Sequence, residues 1–270
     1  VALDLLNVSI GGKALFTRAI VRRPGQNLAD GLTTVDLGQP DVELARKQHT
    51  DYCEALERCG LQLFPLEVDE AFPDGAFVED TAIVTREFAL ITNPGAASRR
   101  GETLAISEVL QTFYPELRML SESATLDGGD VCEAGRHFFI GVSERTNELG
   151  ASELTQLVQS FGYTSTVVDI RGVPGILHLK SGIAALSGGR LLVIDSLAQR
   201  EEFRGWELLR VPTGEEYAAN CIEVNESVLV PAGFPETEKI IRRLNFQTIA
   251  LEMSEFQKMD GGLSCLSIRF

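Results

Sequence analysis

The sequence predicts an α/β fold of five strand–strand–helix–strand units closed like a propeller, with the fifth unit completed by joining the N- and C-terminal segments. Three observations predict it. From Phe16 onward, β-type runs alternate with amphipathic helical runs. The unit recurs at intervals of about 40–50 residues, the range of stacked or radial arrays. The chain opens on a strand, helix and strand that lack a hairpin partner and finishes on half a hairpin, so joining the two ends leaves no open edge.

The first unit is a strand in FTRAIVRRPG, a polar loop QNLADGLTTVDLGQP, a helix from Asp41 to a stop at Gly60, and a strand in LQLFPLEV. Asp41 after Pro40 supplies the side-chain oxygen that a helix start needs, and Gly60 tolerates the left-handed backbone of a helix stop. The second unit is a hairpin turning at Arg86-Glu87, a helix in GETLAISEVLQTF and a strand in LRML. The third turns at Ala134-Gly135-Arg136, followed by a helix in ASELTQLVQSFG and a strand in YTSTVVDI. The fourth turns at Ser187-Gly188-Gly189, followed by a short helix in LAQREEF and a strand in WELLRV. The last full copy turns at Asn225-Glu226-Ser227, then runs through FPETEKIIRRLN and FQTIALEM. LSCLSIRF is the terminal strand.

Residues 16–270 therefore read as a single catalytic domain, and residues 1–15 as an N-terminal segment appended to it. The chain has 270 residues, 44% of them hydrophobic, enough for a sizeable core. A formal net charge of −15 repels phosphate backbones and anionic lipids, which disfavours nucleic acid and membrane surfaces and favours a small cationic ligand. No apolar run approaches the roughly 20 residues that span a bilayer. Five widely spaced cysteines and three histidines, without a CxxC, argue against a disulfide framework and a zinc knuckle. A cytoplasmic protein with reduced thiols is expected.

Function is carried by position. Each unit opens its hairpin with polar side chains that a plain strand would not select: Glu79 and Asp80, Asp127 and Asp130, His178, Asn220, and Cys265. Equivalent positions around one axis would converge in one cavity. Carboxylates, an imidazole and a thiol together suit thiolate attack on a planar cationic carbon. Carboxylates match the N–H fork of a guanidinium. Cys265 can add to its central carbon, and His178 can protonate the departing amine and later activate water. Asp127 would orient the imidazole and favour its protonated form. Asp130 either belongs to this set or caps loop N–H groups. Asn220 satisfies backbone groups near the axis.

The segments FPDGAFVEDTA, ITNPGAASRRGET, ATLDGGDV, FFIGVSERTNELGA, LHLKSG, YAANCI and KMDGGLSCLSIRF resemble, in order, the dimethylarginine dimethylaminohydrolases of the guanidino-group-modifying, or pentein, superfamily. The resemblance implies the five-fold α/β propeller. It also implies hydrolysis of mono- and dimethylarginine to citrulline and methylamine or dimethylamine through a covalent Cys thiouronium, without cofactor or metal. It makes Cys265 the nucleophile, His178 the proton donor and Asp127 the third member of the triad. Glu79 and Asp80 become the guanidinium-side carboxylates, and Asp74 a substrate-binding acid. Arg99 and Arg145 become the clamp on the amino-acid carboxylate, and Leu28 and Met259 substrate contacts through backbone groups. A homodimer is the expected assembly. Two alternatives stay open: an arginine deiminase-type guanidine hydrolase, and a non-catalytic member that only binds.

Overall fold

In a computed structural model that describes residues 16–270, fifteen strands form five separate three-stranded sheets, none closed on itself. The N-terminal segment 1–15, read above as an appendage, lies outside the described residues. All five sheets share one plan, in which the middle strand pairs antiparallel on one side and parallel on the other.

One sheet contains β1 (Arg18–Arg22), β2 (Gln62–Leu66) and β15 (Ile268–Arg269). β1 is parallel to β2 and antiparallel to β15, so the two ends of the described chain share a sheet. Between β1 and β2 runs α1 (Val42–Arg58), where the Asp41 side chain accepts the Leu44 N–H at 3.1 Å. Gly60 follows with φ +91°, the left-handed geometry of the expected stop.

The second sheet is β3 (Ala82–Val84), β4 (Ala89–Ile91) and β5 (Leu117–Met119), with α2 (Thr103–Gln111) between the last two. The third is β6 (Val131–Ala134), β7 (His137–Val142) and β8 (Thr164–Asp169), with α3 (Glu148–Ser160). α3 starts three residues before the segment read as helix, because Asn147 Oδ1 caps it by accepting the Gly150 N–H at 2.8 Å. The fourth sheet is β9 (Ile183–Leu186), β10 (Arg190–Val193) and β11 (Glu207–Arg210), with only the short α4 (Asp195–Ala198) between. The fifth is β12 (Ile222–Val224), β13 (Ser227–Pro231) and β14 (Gln247–Leu251), with α5 (Pro235–Arg242), and α6 (Ser254–Gln257) follows.

In each sheet the strand that pairs antiparallel with the middle strand is preceded by a 3-10 turn rather than beginning where its polar residues stand. These turns are Val78–Thr81, Gly128–Asp130, Leu179–Ser181, Glu216–Ala219 and Ser264–Leu266. Cys265 therefore sits on a turn, not inside the terminal strand as the pattern of LSCLSIRF suggested, and that strand is confined to Ile268–Arg269.

The ends of the chain are tied into the core. Tyr52, fully buried on α1, is 2.6 Å from the hydroxyl of Ser267. Asn225, at φ +56° in its hairpin turn, holds both polar groups of the Phe16 backbone and the carbonyl of Cys59. All five cysteines carry free thiols. No helix among the described residues is long and apolar enough to cross a membrane.

Candidate active site

Asp127 ends an extended approach to the turn Gly128–Asp130 and is fully buried. Its Oδ1 accepts the N–H of Gly95 at 2.8 Å, and its Oδ2 lies 3.0 Å from His178 Nε2 and 3.5 Å from Arg145 Nη1. His178, 7% exposed, immediately precedes the turn Leu179–Ser181. The bond to Asp127 commits Nε2, leaving Nδ1 as the other ring nitrogen.

Burial alone would lower the His178 pKa, but the carboxylates of Asp80, Asp130 and Asp127 outweigh it and raise it to about 9. At neutral pH the ring is an imidazolium. Burial likewise works against ionised Asp80, yet His178 and Arg99 hold its carboxyl down at about 2. Asp80, Asp127 and His178 each place a polar atom within 4.8 Å of the other two. Those atoms are already engaged, since Asp80 accepts from Gly129 N–H at 2.8 Å and from Arg99 Nη1 at 2.5 Å.

Cys265 occupies the middle of its 3-10 turn. Its Sγ receives the Gly262 N–H at 3.4 Å and lies 4.0 Å from Ser264 Oγ. Burial, reinforced by the charges of Glu79 and Asp80, pushes this thiol up to about 12. Asp80 thus acts electrostatically on both Cys265 and His178. Glu79 is buried, its Oε1 on Lys180 Nζ at 2.6 Å and its Oε2 accepting from Ser264 Oγ at 2.7 Å.

The two arginines expected to act as a pair are not equivalent. Arg99 is 4% exposed and donates to both oxygens of Glu102 (3.1 and 2.8 Å), to Asp80, and to the Phe77 carbonyl at 2.9 Å. A guanidinium has five N–H donors, so at most one Nη1 hydrogen of Arg99 remains. Arg145, whose side chain is 15% exposed, makes only the long contact to Asp127 with its guanidinium and keeps the rest of its fork.

Asp74 is 6% exposed, and burial raises its pKa against the pull of Arg99 and Arg145. Its Oδ1 accepts the N–H of Leu32 at 3.0 Å. Leu28, one turn earlier in the same loop, lies wholly in the core with its carbonyl bonded to Gly31, so Leu32 is the loop residue that reaches Asp74. Met259 is 3% exposed, and its terminal methyl lies 3.2 Å from where a Cβ on Gly31 would stand. That places it beneath the same loop.

Asp130 resolves to the capping alternative. Its oxygens accept from Leu179 N–H (2.9 Å), Ser143 Oγ (2.6 Å) and Thr146 Oγ1 (2.7 Å), tying the turn after His178 to the β7–α3 loop. The close approaches need glycine. A Cβ on Gly128 would stand 2.0 Å from the Glu79 carbonyl oxygen, and one on Gly95 2.2 Å from that of Arg145. Sequence reasoning missed Leu32, Lys180 and Ser264. Lys180 and Ser264 lie inside the matched segments LHLKSG and KMDGGLSCLSIRF, whereas Leu32 sits in a loop without periodicity.

No protein-family model matches the chain. It is 43% identical over 257 residues to the N(G),N(G)-dimethylarginine dimethylaminohydrolase of Pseudomonas aeruginosa, spanning 95% of this chain and all of that one. It is 34% identical over 258 residues to the enzyme of the same name from Streptomyces coelicolor, spanning 93% and 96% of the two chains. A solved structure of the Pseudomonas aeruginosa enzyme, a cysteine-to-serine variant complexed with citrulline, matches with a TM-score of 0.91 at 42% identity over 95% of this chain and 100% of that one. The N-terminal domain of ArgZ, an arginine dihydrolase from cyanobacteria, matches with a TM-score of 0.81 over 94% and 97% of the two chains, but at 18% identity, which speaks to the fold alone. With 43% and 34% identity to these two enzymes over more than nine-tenths of its length, the chain belongs to the dimethylarginine dimethylaminohydrolase family.

Proposed function

We propose that this chain is a hydrolase that converts Nω-methylated arginines and water to citrulline and methylamine or dimethylamine, with residues 16–270 forming one catalytic domain. The observation that carries this reading is the buried cluster of Asp80, Asp127 and a cationic His178 beside the Cys265 turn. The five sheets of equal plan are read as a propeller, their five 3-10 turns meeting around its axis.

In the empty site the Cys265 thiol is neutral. A bound guanidinium cation would offset the charges of Glu79 and Asp80 and favour the thiolate, whose proton leaves to solvent. The thiolate forms an S–C bond to the guanidinium carbon. His178, through Nδ1, protonates the methylated nitrogen as its C–N bond breaks, and the amine departs. This leaves a Cys265 thiouronium and a neutral imidazole. That imidazole takes one proton from water as the oxygen adds to the carbon; the C–S bond then breaks, the hydroxyl proton passing to the departing sulfur, which restores the Cys265 thiol and releases citrulline. Overall, one proton leaves with the amine as its ammonium ion. Asp127 holds the imidazole in register. Arg145 takes the substrate carboxylate, Asp74 its amino group, and Arg99 contributes mainly by fixing Asp80. Leu28 and Met259 act by supporting the loop whose Leu32 meets Asp74.

Comparing dimethylamine release from dimethylarginine with ammonia release from arginine tests the reading. Stoichiometric citrulline and dimethylamine support it. Ammonia and citrulline from arginine alone would assign the chain to deiminase chemistry, and no turnover of either would leave a binding protein.

A further inference from the structure

Three buried side chains, Glu79, Asn220 and Ser264, and the half-buried Lys180 form a hydrogen-bonded ring beside the site. Lys180 Nζ donates to Glu79 Oε1 at 2.6 Å, and Ser264 Oγ donates to Glu79 Oε2 at 2.7 Å. Asn220 Oδ1 accepts the Ser264 N–H at 2.9 Å, while its Nδ2 donates to Ser264 Oγ at 3.2 Å and to the Lys180 carbonyl at 3.1 Å. Glu79, Asn220 and Ser264 are all less than one-tenth exposed, and the Lys180 side chain is 17% exposed.

The ring sits one step away in sequence from the chemistry. Glu79 precedes Asp80, Ser264 precedes Cys265, and Lys180 follows His178 by two residues. Glu79, Gly128, Lys180 and Ser264 also line a cavity of about 680 Å³, whereas Asp80, Asp127, His178 and Cys265 are not among the described residues lining it. Three members of the ring, Glu79, Lys180 and Ser264, thus border this cavity. Asn220 is packed tightly as well, since a Cβ on Gly262 would stand 2.5 Å from its Cγ. Gly262 supplies the N–H that reaches the Cys265 sulfur.

We infer that Lys180 and Asn220 are positioning residues for the reaction. Lys180 fixes the orientation of the Glu79 carboxylate near the thiol, and Asn220 locks the Ser264–Cys265 turn that aims it. The assignment rests on the hydrolase reading for its kinetic arm only. The titratable groups acting on the thiol are Glu79, Asp80, Lys180 and Tyr217, with Arg269 3.8 Å from Glu79. Removing the Lys180 cation takes away the nearest charge that offsets Glu79 beside Cys265, so the thiolate population falls. A merely structural defect has the opposite sign, because a thiol released to solvent returns toward its ordinary pKa and reacts faster.

The experiment is alkylation of Cys265 by iodoacetamide at pH 8, followed by peptide mass spectrometry, alongside kcat and KM for dimethylarginine. Lys180→Met is expected to slow alkylation about tenfold, one pKa step, and to lower kcat with little change in KM. Lys180→Arg, which keeps the charge, is expected to restore both to within about threefold. Asn220→Ala is expected to lower kcat about tenfold to a hundredfold at nearly constant KM, the effect of misaiming a nucleophile. Wild-type or faster alkylation in Lys180→Met overturns the Lys180 assignment. So does a folded Lys180→Arg as impaired as Lys180→Met, and this variant decides alone if Lys180→Met does not fold. Wild-type kcat in Asn220→Ala, or an increase in KM alone, overturns the Asn220 assignment. If the unaltered protein makes no citrulline, the hydrolase reading fails while the alkylation comparison still stands.

Discussion

His178 Nε2 lies 3.0 Å from Asp127 Oδ2 across 51 residues of sequence, both side chains shut away from solvent. The Gly95 N–H on the other Asp127 oxygen holds the carboxylate in place. The pair fixes which imidazole nitrogen faces the substrate, and with Asp80 and Asp130 it fixes the charge on the ring.

A pH dependence follows. His178 is raised from 6.5 to about 9, so its contribution to stability is fully present below about pH 6.5 and is lost as pH rises through about 9. The melting temperature is expected to decline across that window, and kcat to fall on an alkaline limb near pH 9 as the general acid deprotonates. In Asp127→Asn the limb should move to lower pH without reaching the ordinary histidine value, because Asp80 and Asp130 remain. A pH–rate profile of the two proteins checks this.

Arg99 and Arg145 should separate by assay. Arg99→Met strands Asp80 and Glu102 as unpaired buried carboxylates, a loss of roughly 3–5 kcal/mol in urea unfolding. Arg145→Ala should leave unfolding nearly unchanged and raise KM about tenfold or more, the cost of one charge-assisted contact to the substrate. Equal effects of the two substitutions on KM and on stability would mean that the arginines share one role.

Gly128→Ala pushes a methyl group against the Glu79 carbonyl, where neither backbone can yield cheaply. A destabilisation of roughly 1–3 kcal/mol, with activity lost in step, is expected. Calorimetry alongside turnover measures both.

Much of this architecture was legible in the residues. Gly135 (φ +66°) and the pair Gly188 and Gly189 (φ +83° and +75°) turn the hairpins where they were expected to turn, because few other residues accept that backbone. Helix starts were legible where Asp41 caps, and missed at Asn147, whose cap lies four residues before the segment read as helix. The 3-10 turns carrying the polar residues were read as strand openings, since three-residue elements have no period to detect. Glu79, Asp80, Asp127, His178 and Cys265 were legible by their matching positions in successive units. Lys180 was not, because its partner Glu79 lies 101 residues away and nothing local to either announces the bond. Leu32 was missed for Leu28 because an aperiodic loop gives no sign of which of its amides turns inward.

The central claim is that the Cys265 sulfur performs the attack. The most direct test is citrulline formation from dimethylarginine by the unaltered protein and by Cys265→Ser, which keeps the turn and removes the soft nucleophile. The account predicts stoichiometric citrulline and dimethylamine from the first and a rate at least about a thousandfold lower from the second, a loss of about 4 kcal/mol in transition-state stabilisation. Equal rates would contradict it.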